Sequence, residues 1–176
     1  MTELRVAHTS RLDAAILDGA RSLLLDVFES DFADSDWEHA LGGMHALLYD
    51  ERELIGHAAV VQRRMLHGGR ALRTGYVEGV AVRADRRRRG HATALMAAIE
   101  EIVRRAYDVG ALGSSEAGLA FYRSRGWQRW RGPCSALTPD GVRPTPEEDA
   151  IFVLPCAAAL DLDGELTCDW RDGELW

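Results

Sequence analysis

The sequence predicts an α/β (α+β) chain: a mixed, mostly antiparallel sheet flanked by helices, in a single domain over residues 1–176. Three observations predict it. The periodicities run strand, helix, helix, three strands, helix, strand, helix, strand, strand, and hairpin-linked strands followed by alternating strand and helix build a mixed sheet with helices on its faces. At 176 residues with 47% hydrophobic positions, the chain can bury one good core. No apolar run approaches the roughly 18 residues that a membrane-spanning helix needs.

The first strand is LRVAHT. Leu12, Ile16, Ala20, Leu23 and Val27 then recur at helical spacing and mark one apolar face. In DFADSDWEHALGG, Ser35 followed by Glu38 predicts a capping box opening a short helix that Gly42 and Gly43 end. Asp31, Asp34 and Asp36 then fall on a loop and first helical turn. MHALLYD and ELIGHAAVVQRRML, parted by Glu51 and Arg52, read as a β-hairpin, and HGGR turns into another strand, ALRTGYVEGVAV. Beyond Arg83 the period changes. Leu95, Ile99, Ile102 and Ala106 form a helical stripe, with Glu100 and Arg104, and Glu101 and Arg105, as i,i+4 charge pairs on the opposite side. VGALGSS is a strand, EAGLAFYRSRG a helix capped by Gly126, and WQRW a strand. Residues 132–149, rich in Pro, Gly and acids, read as a surface loop. IFVLP supplies the last strand and CDWRDGELW a tail.

Composition removes whole chemistries. All 21 basic residues are arginine, so no lysine Schiff base and no GxxxxGK[ST] phosphate loop can exist. Residues 1–62, 63–131 and 132–176 carry net charges of −8, +9 and −8. An acidic chain is a poor general ligand for nucleic acid or anionic membranes. A basic centre between acidic flanks instead suggests one anionic and one cationic ligand. Cys134, Cys156 and Cys168 have no CxxC spacing and no zinc-like cluster, so reduced thiols and no metal are expected. The N-terminus lacks a signal-peptide core, which predicts a cytoplasmic protein.

The strongest motif is the strand-to-helix junction VEGVAVRADRRRRGHATALM. A helix N-terminus presents unpaired N–H groups and a positive dipole end, Gly90 allows close backbone approach, and Arg86 to Arg89 add charge that can fork onto phosphate oxygens. Glu78 interrupts the apolar strand just before this junction, and a carboxylate there needs a reason.

Arg87 to Ala92, R-R-R-G-H-A, resembles the Q/R-x-x-G-x-G/A signature of the GCN5-related N-acetyltransferases, and GLAFYRSRGW resembles that family's second motif. DFADSDWEHALGGMHALL, GYVEGVAVRAD, FYRSRGW, FVLP and CDWRDGELW resemble its aminoglycoside 2'-N-acetyltransferases. The resemblance implies direct acetyl transfer from acetyl-CoA to the 2'-amine of a cationic aminoglycoside, releasing coenzyme A, an activity of the antibiotic-resistance type. It implies that the backbone of Val80, Ala81 and Val82 pairs with pantetheine and that Arg87, Arg88, Arg89, Gly90, His91 and Ala92 surround the pyrophosphate. Tyr122 is then the general acid, with a phenol near the ordinary value of about 10. Glu78 is the base, acting through a water or by electrostatic positioning. Asp31, Asp36, Glu147, Glu148 and Glu174 would attract the ammonium groups, as would the terminal carboxylate of Trp176. Gly79 would offer its carbonyl to the amine, and Gly113 stands where similar proteins carry a serine. No role follows for His91, and the other five histidines show no ligand-like arrangement. Homodimers are common in the family. Three alternatives stay open: the same fold acting on another polyamine, metabolite amine or protein N-terminus; a non-catalytic acetyl-CoA-binding module; and nucleic-acid binding through the arginines.

Overall fold

The computed structural model describes residues 1–145 and 150–176. In chain order it contains β1 (Thr2–His8), α1 (Ala14–Phe28), α2 (Asp34–Ala40), β2 (Met44–Asp50), β3 (Glu53–His67), β4 (Arg70–Val82) and α3 (His91–Ala106). There follow β5 (Val109–Ser114), α4 (Leu119–Ser124), β6 (Gln128–Arg129), β7 (Cys134–Thr138), β8 (Gly141–Pro144), β9 (Ala150–Pro155) and β10 (Leu166–Cys168). The chain divides into two compact units, residues 1–61 with 77–102 and residues 62–76 with 103–176. Strands β3 and β4 run through both.

In the first unit β1 pairs antiparallel with β2 from Thr2↔Asp50 to His8↔Met44, and β2 with β3 from Asp50↔Glu53 to Met44↔Val60. Glu51 and Arg52 close this hairpin at φ values of 50° and 79°, the double left-handed geometry whose twist suits a two-residue hairpin turn. Helix α1 begins where Asp13 Oδ1 accepts the Ile16 N–H at 2.9 Å, a side-chain N-cap. It buries Ala20, Leu23 and Leu24. Leu12, Ala20 and Leu47 form a core cluster on which Ile16, Leu17 and Trp37 pack.

Two expectations about helices are corrected here. Helix α2 has Ala33, not Ser35, as its N-cap, and the carboxylate that reaches back is that of Asp36, whose Oδ2 accepts the Ala33 N–H at 2.7 Å. The capping pair thus sits two residues upstream of the Ser35–Glu38 spacing. The buried stripe of α3 is Leu95, Met96, Ile99 and Val103, while Ile102 is half-buried and Ala106 exposed. Glu100 belongs to the buried side, at 4% exposure, because Met96 and Val103 pull the stripe one residue round the helix from the predicted line.

The core of the first unit also holds two imidazoles. His45 on β2 and His57 on β3 have no exposed surface. Burial, the largest cause, holds both rings down at about 4.

The second unit carries the strand order β6-β9-β5-β4-β3-β10-β7-β8. The ladder of β4 with β5 is parallel, from Thr74↔Val109 to Tyr76↔Ala111, and stops there although β4 continues to Val82. Residues 132–149, expected as a loop, contain the β7–β8 hairpin, paired from Ser135↔Pro144 to Thr138↔Gly141. Pro139 and Asp140 form its turn and Gly141 adopts φ 107°, so the Pro, Asp and Gly that suggested a loop mark the bend of a hairpin. The expected tail begins inside a strand: β10, whose last residue is Cys168, lies between β3 and β7.

Arg63, near the end of β3, ties down the last residues. Its Nε donates to Asp169 Oδ1 at 2.7 Å, its Nη2 to the Asp169 carbonyl at 3.0 Å and its Nη1 to the Leu175 carbonyl at 2.8 Å. The guanidinium lies 4.6 Å from the centroid of the Tyr76 ring and the residue is 4% exposed. A buried cation stabilises only while its partners remain in place.

R63M takes the guanidinium from the Asp169 carboxylate, which keeps the Arg64 N–H at 3.1 Å, and takes the side-chain donor from the Asp169 and Leu175 carbonyls; it should cost about 3 kcal/mol, read as a lower urea midpoint at unchanged slope. Acid should also loosen the fold. His45 and His57 titrate at about 4 when folded and near the reference value of about 6.5 when unfolded. The unfolded chain therefore takes up more protons across that interval, so stability is full above pH ~6.5 and falls as pH drops toward 4. Urea midpoints at pH 7 and pH 5 should differ, and the difference should shrink in H57N.

Candidate active site

The anion turn lies wholly in the first unit. Strand β4 ends at Val82, a tight turn spans Ala84–Arg86, and α3 begins at His91. Acids consume part of the arginine run. Arg83 donates from Nε and Nη2 to the two carboxylate oxygens of Asp85, at 2.6 and 2.9 Å, and also meets Glu53. Arg86 pairs with Asp50 at 2.8 Å, so it adds no available charge to the junction, contrary to the expectation for Arg86 to Arg89. Hydrogen bonding from Arg83 holds the Asp85 carboxyl down at about 2, and these pairs brace the turn. Arg87 donates from Nε to the Val82 carbonyl at 3.2 Å.

Arg88 and Arg89 stay exposed, and among the described residues neither is ion-paired. Gly90 adopts φ 81°, with no atom within 4 Å of where a Cβ would stand. A bare left-handed residue, two free guanidiniums and the unpaired first N–H groups of a 16-residue helix make a cradle that fits a pyrophosphate.

Upstream, Val77 is buried, Glu78 is half-buried, and Gly79 breaks the strand at φ 56°. A Cβ on Gly79 would stand 3.1 Å from Leu24 Cδ1 and 3.4 Å from His57 Cε1, so both torsion and space require glycine. Its carbonyl accepts from His57 Nδ1 at 2.8 Å. One lone pair expected to face a substrate amine is therefore engaged from the core.

The acids of this unit differ in availability. Asp31 ends a short turn and is exposed. Asp36 is half-buried and caps α2, while Asp34 is paired with Arg21 at 2.5 Å.

In the second unit, Tyr122 sits on α4, 9% exposed, with its ring among Phe121, Trp127 and Phe152 at centroid distances of 5.3, 6.2 and 6.2 Å. The helix ends in a Schellman motif: the Trp127 N–H donates to the Tyr122 carbonyl at 3.2 Å and the Gly126 N–H to the Arg123 carbonyl at 3.1 Å, with Gly126 at φ 86°. The contact between Tyr122 and Trp127 is the hydrophobic partner such a cap favours. The sequence FYRSRGW is thus a helix stop that fixes the tyrosine ring. Burial pushes its phenol up to about 12, above the ordinary value expected for it.

Gly113 on β5 faces the last residue, with its Cβ position 3.5 Å from the Trp176 carbonyl carbon and 3.5 Å from Tyr76 Oη. Trp176 donates from Nε1 to Thr145 Oγ1 at 2.8 Å. Glu174 is exposed, and its carbonyl accepts from Arg171 Nε at 2.7 Å. Glu147 and Glu148 lie outside the described residues. The three cysteines are free, and burial pushes the Cys156 and Cys168 thiols up, away from the thiolate a nucleophile needs. Among the described residues no cluster of His, Cys, Asp and Glu could hold a metal ion. Among the described residues no helix is long and apolar enough to cross a membrane.

The sequence reading passed over His57 and Arg63. A hairpin register was the available signal for the first, since Leu47↔His57 and His45↔Ala59 put both histidines on one face.

The acetyltransferase (GNAT) domain family matches residues 9–130. An aminoglycoside 2'-N-acetyltransferase of Mycolicibacterium fortuitum is 54% identical, over 98% of this chain and 91% of that protein. Among solved structures, Escherichia coli ElaA superposes with a TM-score of 0.64 at 18% identity, over 87% of this chain and 99% of that one. An acyl-CoA N-acyltransferase from Pseudomonas aeruginosa gives 0.64 at 13% identity, with the same coverage. At such identities the two structures speak for the fold alone.

Proposed function

The chain belongs to the acetyltransferase (GNAT) family, and from that premise we propose that it transfers the acetyl group of acetyl-CoA to the 2'-amino group of an aminoglycoside. The 54% identity along 98% of the chain carries this reading. The transfer is direct, by attack of the amine on the thioester, and takes place in the cytoplasm.

Each residue has a part in that reaction. Arg88, Arg89 and the first N–H groups of α3, with Arg87, Gly90, His91 and Ala92 around them, hold the pyrophosphate of acetyl-CoA. The β4 backbone from Val80 through Ala81 to Val82, having left its ladder with β5, offers main-chain groups to the pantetheine arm. Asp31, Asp36 through the carboxylate oxygen that does not cap α2, and Glu147, Glu148 and Glu174 draw in the ammonium groups of the substrate. Gly113 and Trp176 line its path. Glu78 accepts, through a water, the proton the 2'-ammonium must lose before its nitrogen can attack.

Tyr122 is the general acid for the departing sulfur. A phenol held at about 12 is protonated at neutral pH, and full transfer to a thiolate of a thiol near 8.5 is uphill by roughly 3 to 4 units. Tyr122 therefore stabilises the developing sulfur charge by donating a hydrogen bond, and its proton moves only as the carbon–sulfur bond breaks. Two protons leave the nitrogen in all: the one lost before attack passes through Glu78 and its water to solvent, and the one shed after attack matches the proton sulfur takes up, so that Tyr122 ends the cycle protonated.

Thiol release from acetyl-CoA with two matched aminoglycosides, one with a 2'-amine and one with a 2'-hydroxyl, tests the reading. Turnover is expected with the amine alone, and Y122F should lower kcat about 10²-fold; turnover with neither would overturn it. Coenzyme A affinity should fall about 10-fold in R88A/R89A, as two charge-assisted contacts are lost. R86A should lower the melting temperature and leave that affinity within about twofold, a contrast that calorimetry reads directly.

A further inference from the structure

Four groups of the first unit form one hydrogen-bonded chain through two buried imidazoles. Thr9 Oγ1 lies 2.9 Å from His45 Nε2, His45 Nδ1 lies 2.9 Å from His57 Nε2, and His57 Nδ1 lies 2.8 Å from the Gly79 carbonyl oxygen. These groups come from the turn after β1, from β2, from β3 and from β4. The indole of Trp37 packs on both imidazoles at 6.3 and 6.2 Å between ring centroids.

The far end of this chain fixes every proton in it. A carbonyl oxygen only accepts, so His57 Nδ1 must carry hydrogen. His57 is neutral, as its burial requires, so its Nε2 is a bare acceptor and His45 Nδ1 must donate to it. By the same step His45 Nε2 accepts, and the Thr9 hydroxyl donates. The Thr9 oxygen in turn accepts the Gly42 N–H at 2.9 Å. With both rings neutral, a single arrangement satisfies all the groups, and it points every donor toward Gly79.

We infer that His57 is a positioning residue for acetyl transfer: its Nδ1–H holds the Gly79 carbonyl and so sets the left-handed peptide that links Glu78 to Val80, while His45 and Thr9 hold the ring in the donating tautomer. This inference rests on the function proposed above. A residue at φ 56° inside a strand has left the regular ladder, and its peptide plane must be set by something else. Leu24 Cδ1 lies 3.1 Å from where a Cβ on Gly79 would stand, so a larger residue there would press on Leu24, and His57 supplies the directional hold. Glu78 precedes this peptide, and Val80 supplies its N–H. A tilt of the plane displaces the proposed base and the first proposed pantetheine contact together.

Long-range 1H–15N spectra of histidine-labelled wild-type protein at neutral pH test the chain itself. Both buried rings are expected as neutral Nδ1–H tautomers, and an Nε2–H tautomer at either one would overturn the inference. Kinetics test the role, with kcat normalised to the stoichiometry of acetyl-CoA binding so that unfolded protein does not count. H57L keeps apolar volume and removes the donor; its kcat should fall ~10- to 100-fold, the scale on which sub-ångström misplacement is felt, with the acetyl-CoA KM within about threefold. H57N places an amide N–H where Nδ1 stood and should recover most of kcat. T9V, which removes the outermost donor at nearly constant volume, should lower kcat by a smaller factor, and it serves in place of H57L if that variant does not fold. A folded H57L with wild-type kcat, or an H57N no better than H57L, would also overturn the role. Absence of turnover in the wild type would remove the function on which the role rests, and the tautomer spectrum would still decide the chain.

Discussion

A backbone carbonyl turned into a core must find a donor there, and in this chain that requirement governs a strand. Strand β4 leaves its parallel ladder with β5 after Tyr76, and at Gly79 its backbone swings to φ 56°. In a regular strand the neighbouring ladder would satisfy such a carbonyl. Here a histidine side chain from β3 does so. The torsion excludes every residue but glycine at small cost, the donor excludes every neighbour that lacks an N–H of the right reach, and the donor's own tautomer is set by two further groups. The segments proposed to act follow in sequence from that point: Glu78 before the bend, the backbone of Val80 to Val82 after it, and then the turn proposed to hold the anion.

Electrostatics along the chain depends on which charges are already spent. The middle third of the chain, residues 63–131, carries a net charge of +9. Arg83 and Arg86 are matched by Asp85, Asp50 and Glu53, and Arg63 is buried on Asp169. What remains for an anion is a narrow site, the exposed Arg88 and Arg89 at the start of α3. The acids divide similarly, with Asp34 paired to Arg21 and Asp36 engaged in capping, while Asp31 is exposed. A guanidinium or carboxylate with a partner mainly holds geometry, and one without a partner supplies the field that a charged ligand meets.

Local physics explains what was legible in the sequence. Hairpin strands β2 and β3, strand β4 ending at Val82, the Gly90 junction and the helix stop after Tyr122 each have their cause within a few residues: alternation, a left-handed glycine, or a capping hydrogen bond. The misreadings had distant causes or competing local ones. The stripe of α3 is decided by what Met96 and Val103 pack against, and apolar spacing alone allowed a second choice through Ile102 and Ala106. Ser35 and Glu38 match a capping pattern, yet the helix starts two residues earlier, where the Ala33 N–H donates to the Asp36 carboxylate and the alanine side chain caps nothing. The β7–β8 hairpin hid behind its own turn residues, and β10 is a three-residue strand, too short to show a period. Arg63 and Asp169 stand 106 residues apart, and the tautomer of His57 depends on Thr9, 48 positions away in the chain.

Histidine is a costly choice for such a position, which bears on why the chain is built from it. Two imidazoles without solvent exposure forfeit hydration and are held neutral; leucine pairs of similar volume would stabilise the same core with no proton to place. Neutral imidazole, however, carries one donor and one acceptor on opposite sides of a rigid ring. Two rings in series therefore extend a fixed donor direction across two strands with few torsions free to slip. Asparagine could donate to Gly79 but would leave the span to Thr9 unfilled, and a charged side chain at that depth would have to recover its lost hydration from an ionic partner. A buried polar network in which every group is satisfied specifies a single arrangement, and here that arrangement fixes the one peptide in β4 that a regular ladder cannot hold.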